Sequence, residues 1–150
     1  MRIVKASRAE IVQVSALFDG YRQFYEQAPD LDAATTFIEA RLEHQDSVIF
    51  LALADDGEPL GFVQLYPSFS SVAMKSMWYL NDLFVADSAR GQGVARALLK
   101  HVESFAKETG ALTVKLATAV SNVKAKALYE SEGYVKVTTF DHYTQRVKSA

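Results

Sequence analysis

The chain has 150 residues, 49% of them apolar, which suits one domain with a continuous core. Its 16 basic and 18 acidic residues are mixed along the chain and leave a formal charge of -2, which argues against holding nucleic acid by a net basic field. There is no cysteine, so disulfides, thiolate metal sites and a cysteine nucleophile are excluded.

Met1 to Arg8 is polar, without the apolar block of a signal peptide. Even the apolar run Val48 to Ala54 ends at Asp55, far short of the roughly 20 residues needed to span a bilayer. The expectation is a single soluble cytoplasmic domain over 1–150, with no membrane or nucleic-acid partner.

Ser7 and Glu10 have the spacing of a capping box, and the apolar positions Ile11, Val14, Leu17, Phe18, Tyr21 and Phe24 then recur with helical period. Pro29 marks a break. Asp30 or Asp32 can cap a second helix carrying Ala34, Phe37, Ile38 and Leu42. Val48 to Ala54, the turn Asp55-Asp56-Gly57-Glu58-Pro59, and Leu60 to Tyr66 describe a β-hairpin. Pro67 to Ser76 reads equally as loop or strand extension, and Met77 to Val85 as a third long strand.

Val94, Leu98, Val102 and Phe105 return to helical spacing, with Gly110 where a C-terminal cap belongs. Leu112 to Ala117 predicts a strand, and Val123 to Glu132 a short helix between the cap Asn122 and Gly133. Tyr134 to Val147 predicts one or two further strands. Counting a leading strand, the order predicts a mixed α/β (α+β) fold with a mostly antiparallel central sheet flanked by helices.

The segment from Leu83 through Arg90-Gly91-Gln92-Gly93-Val94-Ala95 runs from a strand through a glycine loop directly into a helix. Glycines let backbone approach a ligand, and the unpaired N–H groups of a helix's first turn favour phosphate or pyrophosphate there. Arg90 and Arg96 add charge. A P-loop would need Lys-Ser/Thr after the last glycine, where this chain has Val94-Ala95; a dinucleotide fingerprint would need Gly or Ala at Arg96.

The remaining pattern, Arg90-x-x-Gly93-x-Ala95, resembles the pyrophosphate-binding signature of the GNAT superfamily of acyl-CoA N-acyltransferases. Asn122 to Tyr134 looks like that superfamily's second block, and the resemblance spans about residues 77–138. It implies acetyl transfer from acetyl-CoA, without a metal, to a primary amine of a small molecule or peptide. It also implies cofactor contacts from Leu83, Phe84, Val85, Arg90, Gly91, Gln92, Gly93, Val94, Ala95 and Asn122. Tyr129 would lie near the thioester sulfur as general acid. The backbone of Leu83 to Val85 would pair with the pantetheine amides, although their side chains suit any central strand.

Asn122 is otherwise an ordinary helix cap, and Tyr129 an aromatic packing its helix. The competing function is a non-catalytic acyl-CoA sensor or structural module.

Some polyamine-acetylating relatives carry a glutamate at the place of Asn81, and asparagine cannot act as that base. Asp82, next along, is expected on the opposite strand face, either catalytic or a hydrogen-bonded carboxylate at a sheet irregularity. The base stays unassigned. Tyr21 and Tyr25, near Glu26, Asp30 and Asp32, resemble the acceptor side of a subgroup with fungal histone and polyamine acetyltransferases; core packing and a solvated cap account for the same residues. His44, His101 and His142 lack metal-ligand spacing. Family habit implies a homodimer through the terminal strands.

Overall fold

The computed structural model describes residues 1–148 and falls into two compact units, Met1–Ala117 and Thr118–Ala150. The first is built on a five-stranded sheet in the order β1 (Arg2–Lys5), β2 (Val48–Leu53), β3 (Pro59–Ser70), β4 (Lys75–Val85) and β5 (Val114–Leu116). Neighbours from β1 to β4 are antiparallel; only β4 and β5 run parallel. Helices α1 (Ile11–Phe24) and α2 (Leu31–His44) pack on one face, and α3 (Val94–Glu108) on the other, so the mixed, mostly antiparallel sheet is as expected.

Local chemistry sets the boundaries. The capping box closes, with the Ser7 N–H donating to Glu10 Oε1 at 3.0 Å, and one 3-10 turn leads into α1. Asp30 caps α2, its Oδ1 accepting from the Ala33 N–H at 3.1 Å. Between β2 and β3, Gly57 takes a φ of 87°, and the Ala54 N–H donates to the Glu58 carbonyl at 2.9 Å. Gly110, at φ 70°, ends α3 as its sequence position predicts.

The undecided stretch after Tyr66 is strand on both arms, with β3 reaching Ser70 and β4 starting at Lys75. Pro67 fits because β2 pairs no further along β3 than Leu65, so no neighbour there needs the missing N–H.

Val14, Leu17, Ile38, Ile49, Leu51, Leu53 and Phe62 form the core beneath α1 and α2. On the other face, Phe50 meets His101 and Phe105 edge-on at 4.5 and 5.1 Å, which makes His101 a packing residue. Trp78 tilts against Phe105 at 5.2 Å and donates its indole N–H to Thr109 Oγ1 at 2.9 Å.

The second unit contains α4 (Val123–Ser131). The strands expected from Tyr134 to Val147 are not formed: that segment has no regular secondary structure, and Val135, Val137, Phe140, Tyr143 and Val147 are exposed. Alternating apolar residues confer strand propensity, but a strand exists only where a neighbour takes its hydrogen bonds.

Gly61 is a close-approach position, since a Cβ there would stand 2.8 Å from the Phe84 carbonyl oxygen and 3.2 Å from Val94 Cγ1. Gly61→Ala is expected to cost about 1–3 kcal/mol in urea unfolding by forcing β3 and β4 apart. A change within a few tenths would show that the strands yield freely.

Candidate functional site

β4 outruns β5. Their pairing covers Trp78, Tyr79 and Leu80, whereas Asp82 to Val85 pair only with β3, through Gln64 to Gly61. Alternate residues of an antiparallel strand point their N–H and C=O away from the partner, so this stretch offers backbone groups on its β5 side. It contains the expected Leu83, Phe84 and Val85.

The strand then passes through a 3-10 turn at Asp87–Ala89 into the glycine loop. Gly91 and Gly93 take φ of 76° and 79°, where side chains are disfavoured, and a Cβ on either would meet nothing within 4 Å. The space above the loop is open. Gly93 is the N-cap of α3 and has no side chain to cap it; the Ala97 N–H makes the first helical bond, to the Gly93 carbonyl at 3.0 Å. The N–H groups of Val94 and Ala95 lie ahead of that bond at the positive end of the helix. Val94 is buried, while Gln92 is exposed with its amide donating to the Ser88 carbonyl at 3.2 Å. An open loop, first-turn amides and a half-paired strand fit a phosphate-bearing ligand with an amide-containing arm.

Arg90 is placed differently from a residue aimed at the loop. Its Nε donates to the Val85 carbonyl at 3.3 Å, its Nη1 pairs with Asp87 at 2.9 Å, and its guanidinium lies 5.7 Å from the Phe24 ring and 5.8 Å from the Phe84 ring.

On the α1 face, a bulge at Asn81 breaks the register: Leu80 pairs with Leu65 and Asp82 with Gln64. The expected alternation of Asn81 and Asp82 fails there, because the extra residue resets which face follows. Asn81 is exposed and its Nδ2 donates to Asp82 Oδ1 at 2.8 Å; Asp82 is 2% exposed and also accepts from Gln64 Nε2. Ser47 Oγ donates to Gln64 Oε1 at 2.9 Å. Burial pushes the Asp82 carboxyl above its usual range, against hydrogen bonds from Gln64, Asn81 and Tyr21 that pull it down. Tyr66 is raised to about 12, first by burial and then by the Asp82 charge.

Tyr21 joins this region to α1. Its hydroxyl donates to the Asn81 carbonyl at 3.2 Å, and its ring meets Tyr25, Phe62 and Phe84 edge-on. Tyr25 is half exposed. The structure thus brings Tyr21, Tyr25 and Asp82 into one neighbourhood. It gives Asp19 a structural task, because Arg22, Gln23 and the Asp30 N–H all bond its carboxylate. Gln64 and Tyr66 escaped the sequence reading, and Phe24, expected on the apolar stripe of α1, is exposed; a glutamine inside the apolar run Phe62 to Leu65 was the available signal for the first.

In the second unit, Asn122 caps α4, its Oδ1 accepting from the Ala125 N–H at 3.3 Å. Tyr129 is partly buried, with its ring 5.8 Å from that of Tyr134.

The raised Asp82 fixes a sign. Between the unfolded value of 3.8 and its higher folded value, the folded state holds the extra proton, so this carboxyl's contribution to stability falls as pH rises through that window. Asp82→Asn should therefore be most favourable relative to the parent at neutral pH, with the difference in melting temperature shrinking towards pH 4. A difference independent of pH would contradict a desolvated carboxylate.

The profile of the acetyltransferase (GNAT) family matches residues 13–134. The chain is 45% identical over 147 residues to the uncharacterized N-acetyltransferase YhfO of Bacillus subtilis (strain 168), covering 98% of each. It is 32% identical over 121 residues to the D-amino-acid N-acetyltransferase HPA3 of Saccharomyces cerevisiae, covering 79% of this chain and 74% of that one. A crystal structure of a probable acetyltransferase superposes with a TM-score of 0.94 at 42% identity over the whole of both chains.

Proposed function

This chain belongs to the acetyltransferase (GNAT) family and is an N-acetyltransferase, and from that premise we propose that it moves acetyl from acetyl-CoA to a primary amine by direct attack in a ternary complex. The carrying observation is the open Gly91–Gly93 loop at the head of α3, beside a β4 edge that β5 leaves free. Gly91 to Ala95 would take the pyrophosphate on backbone N–H groups, and Leu83 to Val85 the pantetheine amides. Asn122 would contact the same arm.

Acetyl-CoA supplies an activated thioester. The chain must hold the partners together, stabilise negative charge on the acetyl oxygen with strand N–H groups, and protonate the departing sulfur. A phenol of reference pKa about 10 is neutral at pH 7 and can donate, which is the role we assign to Tyr129. An alkyl amine with a pKa near 10.4 must first lose a proton. We place the acceptor at Tyr21 and Tyr25, with Asp82 behind them fixing the Asn81 and Tyr21 side chains. Aromatic faces beside a carboxylate suit a cation. HPA3, named for D-amino acids, supports a small primary amine as acceptor and the likeness to fungal enzymes.

Two variants separate binding from chemistry. Tyr129→Phe should keep stabilisation by CoA, about 2.7 kcal/mol at 100 times its dissociation constant, while turnover falls about 10²-fold or more. Unchanged turnover removes Tyr129 from the reaction. Gly93→Val should lose the CoA-induced shift while still melting cooperatively; a normal shift would refute the loop assignment.

We also assign a cytoplasmic location and a homodimer. The exposed apolar residues Val135, Val137, Phe140, Tyr143 and Val147 support the dimer. Light scattering of the full chain should give twice the monomer mass, and of a chain ending at Gly133 the monomer mass. A monomeric full chain rejects the dimer.

A further inference from the structure

The side chain of Arg90 reaches three parts of the first unit. It is bonded to the end of β4 at Val85 and to the following turn at Asp87, and it lies over Phe24 in the last turn of α1. Phe84, its other aromatic neighbour, supports α1 one turn earlier: a Cβ on Gly20 would stand 3.1 Å from the Phe84 ring, so α1 rests directly on that side chain. From Phe24 the contacts continue to Tyr25 at 5.3 Å, from Tyr25 to Tyr21 at 5.1 Å, and from the Tyr21 hydroxyl to the Asn81 carbonyl. The end of α1 is therefore held at two points, by the β4 bulge through Tyr21 and by the glycine-loop entrance through Arg90.

We propose that Arg90 is a positioning residue that links occupancy of the glycine loop to order in the last turn of α1, where Tyr21 and Tyr25 face the acceptor. The proposal rests on the loop being the CoA site. Each contact is soft. Arg90 and Asp87 have side chains 47% and 88% exposed, and Phe24 is 55% exposed, so solvent competes for all of them. A strut of this kind is held only as firmly as these solvent-exposed contacts allow. An anion on the loop backbone immobilises Asp87 to Gly93, removes freedom that Arg90 would otherwise keep, and lowers the cost of ordering Phe24 and its neighbours. Lysine cannot replace it, because an ammonium lacks the flat guanidinium that can bond Val85 and Asp87 while lying against rings.

The test is amide hydrogen exchange across residues 21–28, with and without saturating CoA, in the parent chain, Arg90→Ala, Arg90→Lys and Phe24→Leu. Melting with CoA measures binding in parallel. CoA is expected to slow exchange in this segment of the parent about threefold, the scale of one exposed cation–π contact. The three variants should still be stabilised by CoA, yet show no slowing there.

Equal slowing in Arg90→Ala, with CoA bound, overturns the strut and leaves the cofactor reading intact. A loss of CoA stabilisation of tenfold or more in affinity, with the ligand-free melt unchanged, also overturns it, because Arg90 would then be a phosphate ligand. No stabilisation of the parent by CoA overturns the cofactor reading and the strut with it. Phe24→Leu keeps the proposal open to refutation if either arginine variant fails to fold.

Discussion

The bulge at Asn81 is the constraint on which the polar cluster between β4 and α1 is built. In an unbroken strand Leu80 and Asp82 would share a face. One extra residue sends Leu80, through its pairing with Leu65, to the α3 side and Asp82, through Gln64, to the α1 side. The apolar layer under α3 remains intact while a carboxylate enters the opposite layer. Every polar contact there follows from that switch: the Gln64 and Asn81 amides, the Ser47 hydroxyl behind Gln64, and the Tyr21 hydroxyl that reaches the bulge from α1.

Such burial is expensive unless each lone pair is met. Asp82 meets the requirement with neighbours from β3, β4 and α1, so the carboxylate also ties these three elements together. The same stretch of β4 is where pairing with β5 has ended. One strand therefore offers backbone groups at its edge and carries an organised polar cluster on its face, and its last residue, Val85, stands six positions before Gly91. The closeness of the two features comes from strand lengths and one inserted residue.

Much of this was legible in the sequence because it depends on neighbours along the chain. The caps at Ser7, Asp30 and Asn122, the turn at Gly57 and the glycine loop into α3 are local chemistry. The long-range features were harder. The Asn81-Asp82 pair within β4 points to a hydrogen-bonded carboxylate at a sheet irregularity, but a bulge exists only relative to β3, so strict alternation sets Asp82 on the face opposite Asn81, whose side chain bonds it. For Arg90 the sequence predicts charge near an anion, and no sequence pattern shows that Phe24, 66 positions earlier, lies beneath its guanidinium. The expected strands after Tyr134 failed for the opposite reason: their residues favour extension, but the chain provides no pairing for them there.

The single tryptophan gives the two layers of the first unit unequal visibility. Trp78 reports on the side of the sheet covered by α3, through Phe105 and Thr109. The α1 layer, with its tyrosines and the buried carboxylate, lies across the sheet from that fluorophore. Loosening of α1 and α2 alone would change far-ultraviolet ellipticity and leave indole emission nearly constant, so the two signals would separate on heating if the layers melt independently and coincide if the sheet unfolds as one.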